Sequence, residues 1–226
     1  MFDIKKILTQ DLIVKAIWFE TLRKECKEYL WKHNAEFDKF TVVAHDSFIW
    51  YLTEKFLKEY IESKNNLLEI EDWNSSFDFI KLKNIININS EKKEDIDYVK
   101  TYFYDKWDLK IIYKSKEVYV DIKTALTKLE PKSSWNFMYP VIQANKEWKD
   151  YMMLCYYVVN DIKDVNSLNK ITVVWYISEE IIKTCEIIKA WNKTKFGTTS
   201  QIDNYITELS IHYKNIDILI KSILEE

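Results

Sequence analysis

Three side chains close together in the chain, Asp108, Asp121 and Lys123, have the chemistry to act on a phosphodiester. They lie in WDLKIIYKSKEVYVDIKT, from Trp107 to Thr124. Apolar and polar residues alternate on both arms of this stretch, around Ser115-Lys116-Glu117, which predicts a β-hairpin. The turn has neither Gly nor Asn, so its type stays open. Centring it on Ser115-Lys116 pairs Leu109 with Ile122, Ile111 with Val120 and Tyr113 with Val118, which makes one face apolar. Asp108 then opposes Lys123, and Asp121 lies two residues before it. Side chains alternate with period two, so all three charges share the other face.

Two carboxylates on one sheet face repel, and a divalent cation relieves that repulsion. Hard oxygen donors suit Mg²⁺, which keeps part of its water and often takes phosphate oxygens as well. A lysine beside it orients a water or stabilises charge on a phosphorane-like centre. The plainer reading is a solvated strand pair with an ordinary Asp–Lys contact, since surface charge is common. The apolar runs downstream favour a central strand pair instead. Asp105 also lies before the hairpin, but this register puts it opposite Leu126, away from Asp121.

The elements that must position these groups follow from pattern. Leu12, Ala16, Phe19, Cys26 and Leu30 recur at helical spacing, predicting a helix from Leu12 to His33. Phe48, Leu52, Phe56 and Tyr60 step by four and predict a second, from about Ser47 to Ser63, capped by Asp46 or Ser47. The asparagine-rich stretch from Asn65 to Asn89 reads as loops with a short strand near Phe77 to Leu82. Ser90 is expected to cap a helix with an acidic first turn (Glu91, Glu94, Asp95) that ends near Tyr104. Lys128 to Gln143, containing Pro131 and Pro140, reads as a loop without clean periodicity. A long loop just after such strands is usually functional. Met152 to Val159 is a buried strand or helix segment, and Lys170 to Ile177 a strand. Ser178 is expected to cap a helix to about Asn192, and Ser200 a last helical region to Leu224. The order implies an α/β or α+β fold with a mixed sheet flanked by helices.

The 226 residues suit a single domain spanning 1–226, long enough to bury a core. A single glycine, Gly197, excludes a P-loop and a dinucleotide fingerprint. Cys26, Cys155 and Cys185 are too few and too scattered for a disulfide framework or a zinc site. None of His33, His45 and His212 pairs with another at metal-ligand spacing. No run approaches a membrane span, and MFDIKKILTQD lacks a signal-peptide core, so a cytoplasmic location is the default expectation. Net charge is −3 with a pI near 5.8, which counts against nucleic acid unless local basic surfaces and a metal compensate.

The arrangement Asp108, hairpin, Asp121-Ile122-Lys123 resembles the PD-(D/E)xK signature of nucleases, and VYVDIKT is similar to the corresponding strand of EcoRV-like type II restriction endonucleases. Trp107 stands where the family often has proline. The resemblance covers about 18 residues. It implies a five-stranded mixed sheet flanked by helices, and catalysis by Asp108, Asp121 and Lys123 with Mg²⁺ held by Asp108 and Asp121. It also implies a homodimer on double-stranded DNA and blunt cleavage at a palindromic site. The resemblance in the VYVDIKT phrase, taken together with chain length and a composition rich in Lys, Ile and Asn, also implies an AT-only site such as ATTTAAAT. Family members often carry a further acid on an N-terminal helix; Glu54 and Glu20 are the candidates, though either is more often a solvated helix residue.

Gly197 to Ile202 is similar to the segment by which such enzymes enter the major groove. Thr198 and Thr199 methyls suit thymine methyls, and Gln201 suits adenine; Ser200 lies between them. Lys193 and Lys195 suit phosphates. The competing reading is that Gly197 ends one helix and Ser200 starts the next. Asn136 and Gln143 form a second candidate set in the Lys128–Gln143 loop, where Trp135 and Tyr139 read equally well as packing. A repair or mobile-element nuclease, or a non-catalytic DNA-binding or anti-phage protein, remains the alternative.

Overall fold

The structure is a computed structural model that describes residues 2–3, 9–35, 46–145, 149–159, 168–193, 200–209 and 216–225. Lys195, Thr198 and Thr199 lie outside the described residues. The fold is mixed α/β. Strands β1 (Phe2–Asp3), β2 (Glu69–Asp72), β3 (Leu109–Tyr113), β4 (Lys116–Thr127), β6 (Tyr151–Val159) and β7 (Leu168–Ser178) form a sheet in the order β1-β7-β6-β4-β3-β2. Only the β4–β6 pair is parallel, so the sheet is mixed. Strands β5 (Asn136–Pro140), β8 (Glu186–Ile188) and β9 (Asn204–Glu208) form a second, antiparallel sheet in the order β5-β9-β8. The resemblance implied five strands in the main sheet; the described residues form six, the sixth being the two-residue β1.

Seven helices of very different length accompany the sheets among the described residues. They are α1 (Gln10–Lys32), α2 (Asp46–Lys64), α3 (Phe79–Asn87), α4 (Lys93–Phe103), the single turns α5 (Val141–Ala144) and α6 (Glu179–Ile182), and α7 (Ile216–Glu225). Strand β6 explains the layering. Met153, Cys155, Tyr157 and Val159 pack with the apolar sides of α2 and α7, whereas Met152, Leu154 and Tyr156 pack toward Tyr139 and Tyr205 of the small sheet. Both faces are covered, so the strand reads as a continuous apolar run rather than an alternation. On β4 the same period sends Val118, Val120 and Ile122 to the helices. Tyr119, Asp121 and Lys123 therefore point toward the small-sheet side. A separate cluster joins α1, α3 and α4 with Trp50 of α2.

Several sequence expectations are corrected. The hairpin pairs Leu109 with Val120, Ile111 with Val118 and Tyr113 with Lys116, two residues from the expected register. The turn is Lys114-Ser115, and Lys114 takes a positive φ of 54°. A shift of two leaves every side chain on its expected face. The expected strand near Phe77 to Leu82 is instead helix α3, because the Asp78 carboxylate accepts from the amides of Ile80 and Lys81 and caps it. Ser90 does not cap α4: its hydroxyl donates to Asp95 Oδ2 at 2.5 Å, and the N-cap residue is Lys92. The Lys128–Gln143 loop contains β5 and most of α5. Ser178 caps only the one-turn α6, after which the chain enters β8. Ser200 leads into strand β9, not a helix.

Candidate active site

Asp108 sits at the entry to β3, and its backbone locks it across the hairpin. Its amide donates to the Val120 carbonyl at 3.0 Å, and its carbonyl accepts from the Trp73 amide at 3.3 Å. Its carboxylate accepts from the Ile122 amide. Trp107, the residue before Asp108, packs edge-on against Trp73 at 5.3 Å and at a tilt against Tyr119 at 5.9 Å. The paired register ends at Leu109 and Val120, so Asp108 is not set opposite Lys123; its amide and its carboxylate bond the residues on either side of Asp121.

Asp108 and Asp121 are both buried, and their environments push them apart. Burial, then the charge of Asp121, pushes the Asp108 carboxyl well above the usual carboxylate range. Burial acts on Asp121 in the same direction, but Lys123 and Lys149 overcome it and hold Asp121 well below that range. Lys123 Nζ lies 2.7 Å from Asp121 Oδ2, with its side chain one-quarter exposed. Burial opposes its charge, yet Asp121 and Asp108 hold its pKa above the ordinary lysine value. The three residues singled out from the sequence are thus brought together on one face.

Three further groups join them. Lys149 is buried, and its Nζ donates to Asp121 Oδ1 at 2.8 Å, to the Tyr139 hydroxyl at 3.0 Å and to the Gln143 carbonyl at 3.2 Å. The fully buried Tyr139, on β5, donates its hydroxyl to Asp121 Oδ2 at 2.8 Å. Burial and then Asp121 push the Tyr139 phenol well up. Glu54, on α2, is fully buried and is the third. Burial and then the charge of Asp108 push its carboxyl well above the ordinary range. Glu54 Oε2 accepts from Asn74 Nδ2 at 2.8 Å, while Oε1 is buried without a hydrogen-bond partner. Of the two helix acids considered, Glu54 therefore faces the site; Glu20 pairs with Lys24 on the surface of α1.

Neighbouring charges are used elsewhere. Asp105 approaches Arg23 at 3.9 Å. Asp72 caps the turn at Ser75 and pairs with Lys55 at 2.9 Å and Lys58 at 3.6 Å. That leaves three carboxylates (Glu54, Asp108, Asp121) near two lysines (Lys123, Lys149), a site one positive charge short of balance when all are ionised.

Among the described residues no group of three or more His, Cys, Asp or Glu side chains is gathered so that it could hold a metal. Asp108 and Asp121 supply two hard donors, and the unpaired Glu54 oxygen is a third acidic atom nearby. Mg²⁺ uses one or two carboxylates and fills the rest of its shell with water and substrate oxygens. The donor chemistry fits that ion and no soft metal.

The residues proposed to read DNA are spread over the small sheet. Ser200 and the exposed Gln201 precede β9, and Asn136 begins β5. In the β5–β9 ladder Pro140 faces Asn204 and Asn136 faces Glu208, so the two sets occupy opposite ends. The four intervening steps span about 14 Å, too far to share a base pair. Asn136 Oδ1 is buried without a partner. Ser200 Oγ accepts from Asn204 Nδ2 at 2.8 Å and from the Ile202 amide at 3.3 Å, organising the end of the β8–β9 connection. The exposed Lys193 lies on the same connection.

Compared with protein-family models and with curated protein sequences, the chain matches none. No helix among the described residues is long and apolar enough to cross a membrane.

Proposed function

We propose that this chain is a Mg²⁺-dependent endodeoxyribonuclease of the PD-(D/E)xK type that cuts double-stranded DNA at a specific site as a homodimer. One observation carries the reading: Asp108 and Asp121 are neighbouring buried carboxylates, Asp108 being bonded to the Val120 carbonyl and the Ile122 amide on either side of Asp121, with Lys123 Nζ 2.7 Å from Asp121. Burying two like charges side by side is costly. Such an arrangement is what a site for a divalent cation requires.

When bound between Asp108 and Asp121, the metal would supply Lewis-acid stabilisation of a phosphoryl oxygen and a lowered pKa for a water. The rest is done by the chain. Lys123 holds a proton at Nζ, is partly open to solvent, and can donate to an attacking water or to charge growing on phosphorus. The Ile122 amide orients the Asp108 carboxylate. Tyr139 fixes the rotamer of Asp121 from β5. Glu54, anchored by Asn74, places a further carboxyl near Asp108. The small sheet lies on the same side as the site and offers Ser200 and Gln201, with Lys195, Thr198 and Thr199 in the adjoining connection, as the DNA-reading segment.

A second reading, a DNA-binding protein without catalysis, draws on a different observation. Both oxygens of Asp121 are already satisfied by Lys123, Lys149 and Tyr139, as in a closed polar core. Incubating the full chain with DNA of known sequence, in Mg²⁺ and in EDTA, and sequencing the ends separates the two. The proposal expects discrete, sequence-defined ends in Mg²⁺ only. Uncut DNA under both conditions favours the second reading.

A further inference from the structure

Lys149 belongs to neither the hairpin nor the expected triad, yet it is among the most buried charges of the molecule. Its side chain is about 2% exposed, and three oxygens surround Nζ at 2.8, 3.0 and 3.2 Å. A carboxylate, a phenol and a backbone carbonyl are all hard oxygen donors, the kind a small cation takes. Lys123 and Tyr139 lie on Oδ2 of Asp121, so the ammonium of Lys149 holds Oδ1. Any divalent ion using Oδ1 meets that ammonium first.

We propose that Lys149 is a positioning residue that serves as an internal counter-cation for Asp121, occupying Oδ1 until a divalent metal displaces it. The inference rests on the metal reading above. The displaced ammonium keeps two of its partners, the Tyr139 hydroxyl and the Gln143 carbonyl, so it has a place to withdraw to. Both partners come from the β5–α5 segment, which belongs to the small sheet that carries the DNA-reading candidates. The contact suppresses loose metal loading in the free protein and keeps Asp121 paired while the site is closed.

The test uses Mn²⁺ as probe on the full chain without DNA, reading free Mn²⁺ by its EPR signal. Lys149→Met removes the charge and keeps the volume. Lys149→Gln removes the charge and keeps a hydrogen-bond donor, so a folding failure of one variant leaves the other. Thermal melts establish which variants fold. The expected result is Mn²⁺ binding tighter by about tenfold or more, because one positive charge a few Å from the ion is gone. Adding Asp121→Asn should cancel the gain. A merely structural lysine gives unchanged or weaker binding, since its loss loosens the site; that result overturns the inference. If Asp121→Asn in the otherwise unaltered chain leaves Mn²⁺ binding as it was, or if Mn²⁺ does not bind at all, the metal reading fails and the inference with it. If Asp121 is required but neither Lys149 variant binds more tightly, the inference alone fails.

Discussion

Asp108 stores unfavourable energy at the site. Its folded-state pKa is raised, so its ionisation costs stability above that pKa and nothing below the unfolded value near ~3.9. Glu54 behaves alike. Asp121 has the opposite sign: its depressed pKa stabilises the fold above the unfolded value, and that contribution disappears as pH falls through the folded one. Metal-free protein should therefore melt higher as pH is lowered from neutrality to about 5, and lower again in stronger acid. Asp108→Asn should raise Tm at neutral pH by about 2–4 °C, roughly 1 kcal/mol for a chain of this size, and flatten the rise toward pH 5. The same variant should not cleave DNA. Asp105→Asn, which removes a 3.9 Å approach to Arg23 and a minor charge contribution at Asp108, Lys123 and Glu54, should cleave at a near-normal rate. Melting curves across pH, with cleavage assays of both variants, check this pair; a dead Asp105 variant beside an active Asp108 variant contradicts the assignment.

At the scale of elements, the hairpin was legible because alternation and charge placement agree on both arms. Its register was not, because Lys114 adopts a positive φ that usually calls for Gly or Asn, and no such residue marks the turn. The error was two residues, and the period of two kept the acids on one face. Lys149 and Tyr139 were missed for a different reason. They lie in a stretch without periodicity, and only the crossover from β4 to its parallel neighbour β6 through the small sheet returns them to Asp121. Strand β9 was legible in principle, since Tyr205 and Thr207 are buried at period two, but the polar residues before it suggested a helix cap. Helix α3 was overlooked because its isoleucines suggested a strand, whereas Asp78 and the buried Leu82 and Ile85 define a helix. Asp78→Ala should remove that cap and cost about 1 kcal/mol, lowering Tm without touching cleavage, because α3 packs in the α1–α4 cluster away from Asp121. A variant that melts normally would show that the cap is replaced by water.

The whole molecule carries net charge −3, so the DNA binding proposed for it requires local cations and metal. The connection from β8 to β9 is the segment whose residues should then divide into two behaviours. Lys195→Ala should weaken binding to every duplex and reduce the salt dependence, as loss of a phosphate contact does. Gln201→Ala should cost about 1–3 kcal/mol on the cognate duplex and little on random DNA. Binding to both duplexes at two salt concentrations distinguishes them. Equal losses for Gln201→Ala on the two duplexes would move base reading to the Asn136 end of β5. The helix-start role once open for Ser200 is excluded by β9, so Ser200→Ala should disturb the connection to Asn204 rather than a helix.

Cleavage by Asp121→Ala in Mg²⁺, measured beside the unaltered chain on the same supercoiled plasmid, with duplex binding followed in parallel, tests the central claim most directly. Asp121 is the point where Lys123, Lys149, Tyr139 and the neighbouring Asp108 converge. The account predicts that the unaltered chain produces discrete fragments. It also predicts that the variant loses cleavage by about 100-fold or more while binding the duplex as well or better. A variant that cuts at the normal rate would contradict it.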